Sequence, residues 1–235
     1  MTAEPGVDLP PSPLSPIRRM PVVVLISGSG SNLQALIDAQ AAGELPVEIR
    51  AVISNRADAF GLERAARAGI EGRALSHRAF PSRDAYDAEL GNLVEGFAPG
   101  LVVLAGFMRI LTPGFVARFR GRMFNIHPSL LPKYRGLHTH QRAIEAGDRE
   151  HGATVHFVTD ELDGGPAVIQ ARVPVYAGDD AETLAARVLE REHLIYPRAV
   201  DWFAEGRVRL GADGRAWLDG RPLGAPVQWD DLSPG

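Results

Sequence analysis

The feature that most restricts the fold is a strand, a glycine-rich turn and a helix in immediate succession near the start of the chain. Val22-Val23-Val24-Leu25-Ile26 is a short, mostly β-branched run, Ser27-Gly28-Ser29-Gly30-Ser31-Asn32 turns it, and residues 33–42 carry helical apolar spacing. The unit recurs as strand 47–53 with helix 59–68, strand 73–75 with helix 82–96, and strand 101–105 with helix 112–119, before a further strand at 122–126. Alternation at this spacing predicts an α/β fold: an open, mostly parallel twisted sheet with helices on both faces. Downstream, a helix at 139–146 precedes strands 152–158 and 167–175, expected to pair antiparallel, and a long helix at 180–204.

At 235 residues, 45% of them hydrophobic, the chain is long enough for one substantial core. Residues 1–20 hold prolines at 5, 10, 11, 13 and 16 and read as a disordered tail, with Met20 a candidate natural start. One catalytic domain is expected over 21–205. Residues 206–235 read as an appended hairpin and tail, with Ala212-Asp213-Gly214-Arg215 turning 207–210 into 216–218.

Composition removes several classes of function. A formal charge of -4 and a pI near 6.0 give no basic balance for nucleic acid. No run approaches the ~18 apolar residues of a membrane span, and no signal sequence is visible, so a soluble, cytoplasmic protein acting on small molecules is expected. The absence of cysteine excludes disulfides, Cys-ligated zinc and thiol nucleophiles. Chemistry must come from histidines, carboxylates and backbone groups.

Gly28-Ser29-Gly30-Ser31-Asn32 offers backbone N–H groups and two hydroxyls to an anion at a helix N-terminus. Position 33 is Leu, so the third glycine of the dinucleotide fingerprint is missing, no acidic residue ends the second strand, and the Gly-Lys-Ser/Thr of a P-loop is absent. A single phosphate suits this loop. The alternative is a tight turn with Ser31 or Asn32 capping the helix.

Phe124-Asn125-Ile126-His127-Pro128 stands at the end of the fifth strand, where open sheets place their ligands. Pro128 restricts the backbone of His127, and Asn125, two residues earlier on an extended chain, projects from the same face. Asp163, in Glu161-Leu162-Asp163-Gly164-Gly165, is either a turn residue or the carboxylate partner of that imidazole. An amide donor, an imidazole and a carboxylate are the parts needed for proton-coupled attack on a carbonyl. His138, His140, His151 and His156 invite a metal reading. Residues two apart at a helix start diverge, however, and nothing completes a helical ligand pair, so no metal is expected.

These motifs, with Leu25-Ile26-Ser27-Gly28, Asp58-Ala59-Phe60-Gly61, Leu104–Leu111, Asn125–Tyr134, His156-Phe157-Val158 and Asp160–Pro166, resemble those of the phosphoribosylglycinamide formyltransferases. The resemblance runs from about Pro21 to Gly206. It implies a Rossmann-like formyltransferase domain that moves a formyl group from 10-formyltetrahydrofolate to glycinamide ribonucleotide in purine synthesis, without a metal. Asn125, His127 and Asp163 would then be catalytic, Gly30, Ser31 and Asn32 would hold the phosphate, and Glu192 the ribose hydroxyls. The folate would lie against Arg83, Met108, Arg109, Ile110, Leu111 and Asn125, with Asp160, Glu161 and Leu162 covering its pterin.

One departure concerns Leu189, where related enzymes carry Gln or Lys near the phosphate; Arg187 or Arg191 is the expected substitute. The alternatives are a formyltetrahydrofolate deformylase, expected to carry an extra N-terminal regulatory domain, a methionyl-tRNA formyltransferase, expected to carry a C-terminal barrel, and a folate-binding module without turnover. A monomer or a homodimer suits the chain equally.

Overall fold

The computed structural model describes residues 19–232, so the expected tail lies outside the described residues apart from Arg19 and Met20. Met20 is the first residue of β1 (Met20–Ile26) and pairs with Val47 of β2 (Val47–Ser54). Parallel strands follow in β3 (Glu71–Ala74), β4 (Leu101–Leu104) and β5 (Met123–His127), connected through α1 (Ser31–Ala41), α2 (Phe60–Arg67), α3 (Arg83–Gly96) and α4 (Pro113–Arg118). After α5 (Thr139–Glu145), β6 (Glu150–Phe157) runs antiparallel to β5, and β7 (Ala167–Pro174) runs antiparallel to β6.

β1 shows why such a strand needs helices on both sides. Val22, Val24 and Ile26 belong to the core on one face, with helix α6 (Ala181–Ala204), while Val23 and Leu25 belong to the core on the other, with Tyr86 and Leu90 of α3. Alternate side chains of a strand leave opposite faces, so a continuous apolar run is satisfied only when both are covered.

The C-terminal segment does more than form a hairpin. β8 (Val208–Leu210), β9 (Ala216–Leu218) and β10 (Arg221–Pro222) make a small antiparallel sheet, and then β11 (Val227–Gln228) adds in parallel to the edge of β7. The main sheet therefore has eight strands in the order β11-β7-β6-β5-β4-β1-β2-β3. The reading of an appended ribbon did not include this return, because a two-residue strand leaves almost no periodic signal.

β1 lies between β2 and β4, so the chain reverses its direction of winding there. The carboxyl ends of β1, β4 and β5 open onto the crevice at this switch point, where doubly wound sheets bind ligands. α6 crosses the same region. The hydroxyl of Tyr196 donates to the carbonyls of Leu104 (2.8 Å) and Phe124 (3.2 Å), pinning the end of β4 to the first half of β5.

Candidate active site

Asn125 and His127 leave β5 on one face, and β6 brings His156 directly opposite Asn125. The loop between β6 and β7 folds back over this face and delivers Asp163. Its Oδ2 lies 3.4 Å from His127 Nδ1 and its Oδ1 lies 3.8 Å from His156 Nε2. Asp163 sits at φ 48, a left-handed conformation that L residues other than Asn and Asp rarely adopt. The Gly136 N–H donates to Asp163 Oδ2 at 2.9 Å and helps hold that geometry. Gly165 is required for the same fold-back, since a Cβ there would collide with the Phe157 carbonyl.

Hydrogen bonding sets the protons. His156 Nδ1 donates to the Phe157 carbonyl at 2.9 Å, which leaves Nε2 as an acceptor for Asn125 Nδ2 at 3.2 Å. Burial pushes His156 down to about 4, so this ring stays neutral near pH 7 and keeps its acceptor. His127 Nε2 donates to the carbonyl of Tyr134 at 2.9 Å, and a carbonyl can only accept. Its other nitrogen, Nδ1, faces Asp163 Oδ2.

The loop after His127 is fixed from β6 and β7. Thr154 Oγ1 donates to the Ser129 carbonyl at 2.7 Å and accepts from the Leu131 N–H at 3.1 Å, while Gln170 Nε2 donates to the Leu131 carbonyl at 2.8 Å. Pro128 restrains the histidine from one side, and these contacts restrain it from the other.

At the end of β1, Gly30 precedes α1 with φ 70 and provides its N-terminal boundary. Neither Ser31 nor Asn32 caps the helix. The Asn32 side chain instead reaches α6, where its Nδ2 donates to Glu192 Oε2 at 2.6 Å. Asn32 and Glu192 are thus brought together across 160 residues of sequence, and both are buried. Burial pushes the Glu192 carboxyl up to about 7, against the opposing hydrogen bond from Asn32. Tyr196 stands one helical turn beyond Glu192, so the Asn32–Glu192 pair lies about 6 Å along the helix from the group that pins Asn125's strand.

The expected folate residues lie on three elements. Met108 and Ile110 project from the loop after β4 and are 70% and 55% exposed, Arg109 turns inward over the Tyr86 ring at 4.7 Å, and Leu111 is half-buried. Ser27 Oγ accepts from the Met108 N–H at 2.8 Å, and Asp87 accepts from the Thr112 N–H at 2.6 Å, which ties this loop to β1 and to α3. Arg83 opens α3 and is exposed, as are Asp160 and Leu162. Glu161 forms an ion pair with Arg135.

His138, whose φ is 58, precedes α5. His140 contacts His151 at 3.2 Å between ring nitrogens, and among the described residues no group of three or more potential ligands is suited to a metal.

Comparison with known proteins adds identity to this geometry. Residues 20–200 match the family described as Formyl transferase. The chain is 59% identical over 204 residues to the phosphoribosylglycinamide formyltransferase of Escherichia coli K12, covering 87% of this chain and 96% of the relative. It belongs to the phosphoribosylglycinamide formyltransferases. The Haemophilus influenzae member of this family is 52% identical over 202 residues, covering 86% and 95% of the two chains. A solved phosphoribosylglycinamide formyltransferase from Coxiella burnetii, in complex with CHES, superposes with a TM-score of 0.85 at 52% identity, covering 89% of this chain and 99% of that one.

In this formyltransferase, sequence reasoning singled out Asn125, His127 and Asp163 but gave His156 no part beside them. Its position opposite Asn125 depends on the β5–β6 register, which no local pattern states. Tyr196, Thr154 and Ser27 were missed for the same reason: each acts through a contact that only the assembled sheet creates.

Proposed function

We propose that this crevice transfers the formyl group of 10-formyltetrahydrofolate to the amine of glycinamide ribonucleotide, giving formylglycinamide ribonucleotide for purine biosynthesis. The observation that carries this reading is the convergence of Asn125, His127, His156 and Asp163 on one face of the sheet. The folate co-substrate supplies the formyl carbon. Attack by the amine places negative charge on the formyl oxygen, and the protein's task is to stabilise that charge and move a proton.

Asn125 has two amide hydrogens. One is committed to His156, which fixes the orientation of the group, and the other is left for the developing oxyanion. A preorganised donor of this kind contributes on the order of 3 kcal/mol. His127 serves as the acid–base group beside the reaction centre, and Asp163, facing its Nδ1, helps relay a proton toward the departing folate nitrogen. Gly30, Ser31 and Asn32 receive the phosphate on their backbone N–H groups, and Glu192 meets the ribose hydroxyls.

Met108, Ile110 and Leu162 present the exposed apolar surface that a flat heterocycle covers, with Arg83 available for the carboxylates of its tail. The test follows tetrahydrofolate release with and without glycinamide ribonucleotide. Release that depends on the ribonucleotide is expected. Equal release into water alone would identify a deformylase instead. Among the described residues no helix is long and apolar enough to cross a membrane, and we place the enzyme in the cytoplasm with small molecules as its partners.

A further inference from the structure

Leu189 leaves the phosphate without the polar side chain expected there, and the structure disposes of one substitute and weakens the other. Arg187 is gripped by both oxygens of Asp179 at 2.7 and 2.9 Å and also donates to the Pro174 carbonyl at 2.8 Å. Arg191 lies 3.9 Å from Asp230. A different arginine is built into the loop itself.

Arg64, on α2, donates from Nε to the Ser29 carbonyl at 2.8 Å and from Nη1 to Gln34 Oε1 at 3.1 Å. One side chain therefore ties the turn before Gly30 to the first turn of α1. Its Cδ lies 3.5 Å from where a Cβ on Gly30 would stand, and its guanidinium lies over the Phe60 ring at 4.9 Å. Among the described residues no carboxylate lies within 4.0 Å of it, whereas Arg56, Arg67, Arg73, Arg118 and Arg207 all have such partners.

Arg64 also borders a cavity of about 660 Å³ between α1 and α6 that Ser31, Gln34 and His193 line with it. Burial, and then the charge of Arg64, push His193 below the ordinary histidine range against the opposing charge of Asp38, which lines the same cavity with Glu44 and Asp201. An arginine that is oriented by two hydrogen bonds and an aromatic face, and not neutralised by an acid, is set to act on an anion brought to it.

We propose that Arg64 is a specificity-determining residue for the phosphate of the ribonucleotide, supplying from α2 the positive charge that position 189 on α6 does not. This rests on the reading that Gly30, Ser31 and Asn32 hold that phosphate. Two roles combine in one side chain: the hydrogen bonds to Ser29 and Gln34 hold the loop in shape, and the charge attracts the dianion.

The test compares the wild type, Arg64→Gln and Arg64→Lys on glycinamide ribonucleotide and on the dephosphorylated riboside, with inorganic phosphate as competitor and thermal melting as a control. Arg64→Gln is expected to raise the KM for ribonucleotide about tenfold, with kcat and the KM for folate within about twofold, because a charge-assisted contact to phosphate is lost. The preference for ribonucleotide over riboside and the affinity for inorganic phosphate should fall by the same factor. Arg64→Lys, which keeps the charge but not the paired hydrogen bonds, should retain most of both.

A variant that keeps the wild-type preference for the phosphorylated substrate would overturn the proposal. So would Arg64→Lys behaving like Arg64→Gln, which would make the role one of loop shape alone. A wild-type enzyme that does not distinguish ribonucleotide from riboside would instead remove the phosphate site itself, and Arg64 with it.

Discussion

Asn125 Nδ2 lies 3.2 Å from His156 Nε2, and the two residues stand directly opposite each other in the β5–β6 register. The amide of asparagine can be turned either way with little change of shape, so its orientation is set by what faces it. A neutral His156, its other nitrogen committed to the Phe157 carbonyl, presents a lone pair and requires the NH2 end. Replacing His156 with Phe removes that acceptor while filling the space. Turnover should fall roughly 10–100-fold through loss of a preorganised donor, and the KM for folate should change less. Unchanged kcat in a folded His156→Phe protein would show that Asn125 is oriented by something else.

His127→Ala should lower kcat by roughly 10²–10⁴-fold, the range for a positioned acid or base, with little change in folate affinity. The ring is buried and bonded to Tyr134 as well as facing Asp163, so melting must be measured beside rate. Near-normal turnover in a folded variant would reduce this histidine to a structural strut.

Asp163→Asn separates charge from shape. Asn tolerates the left-handed backbone at φ 48 and can still accept the Gly136 N–H, so the loop should keep its course and the melting temperature should hold. The charge facing His127 is gone, and kcat should fall at least about tenfold. Asp163→Val puts a β-branched residue in the same conformation and should lower stability as well. If Asp163→Asn keeps full turnover, the carboxylate serves only the turn.

The outcome for the fold and the site follows a physical division. Strands β1, β2, β4 and β5 and the helices between them were legible because buried apolar runs and glycine turns repeat locally. Asn125 and His127 were legible as a pair because two residues apart on a strand means one face, whereas Asp163 was legible only as either a turn residue or the partner of that imidazole, since the fold-back that sets it 3.4 Å from His127 leaves no local signal. The Asn32–Glu192 contact was not, since it joins two helices 160 residues apart, and a cap for α1 was the local alternative that the structure does not use. The placement of Arg64 stayed hidden for a similar reason: its contacts to Ser29 and Gln34 join α2 to the turn and the helix start that lie 35 and 30 residues earlier, and in sequence it reads as any helical arginine.

Stability should depend on pH through buried groups with opposite signs. His151 and His156 are both pushed down to about 4 by burial. Below the ordinary histidine range the unfolded chain takes up protons that the folded chain refuses, so these residues make stability fall as pH falls toward about 4. His140 and His193 are shifted the same way. Glu192 acts in reverse: held up to about 7, it is protonated when folded and ionised when unfolded, so its contribution rises as pH falls from about 7 toward 4.5. The histidines outnumber it, and the wild type should lose melting temperature on acidification. Glu192→Gln removes the opposing contribution and should steepen that loss. Parallel curves for the two proteins would show that Glu192 is ionised in the fold.

Gly30 and Gly28 should differ sharply although both belong to the same turn. At Gly28 an added Cβ meets nothing within 4 Å, so Gly28→Ala should leave melting close to wild type. At Gly30 the backbone is left-handed at φ 70, and a Cβ would stand 2.6 Å from Gly61 Cα on the neighbouring helix. The clash is with backbone, so no rotamer relieves it and α2 must move away from the turn. Gly30→Val combines that displacement with about 1–2 kcal/mol of backbone strain for an L residue in this conformation. Because α2 carries Arg64, moving it also loosens the bonds from Arg64 to Ser29 and Gln34. The KM for ribonucleotide should therefore rise far more than the KM for folate, together with a drop of several degrees in melting temperature. Equal effects on both substrates would mean that the turn supports the sheet as a whole, and a Gly28→Ala protein as damaged as Gly30→Val would show that the separation between turn and helix is not what holds this site.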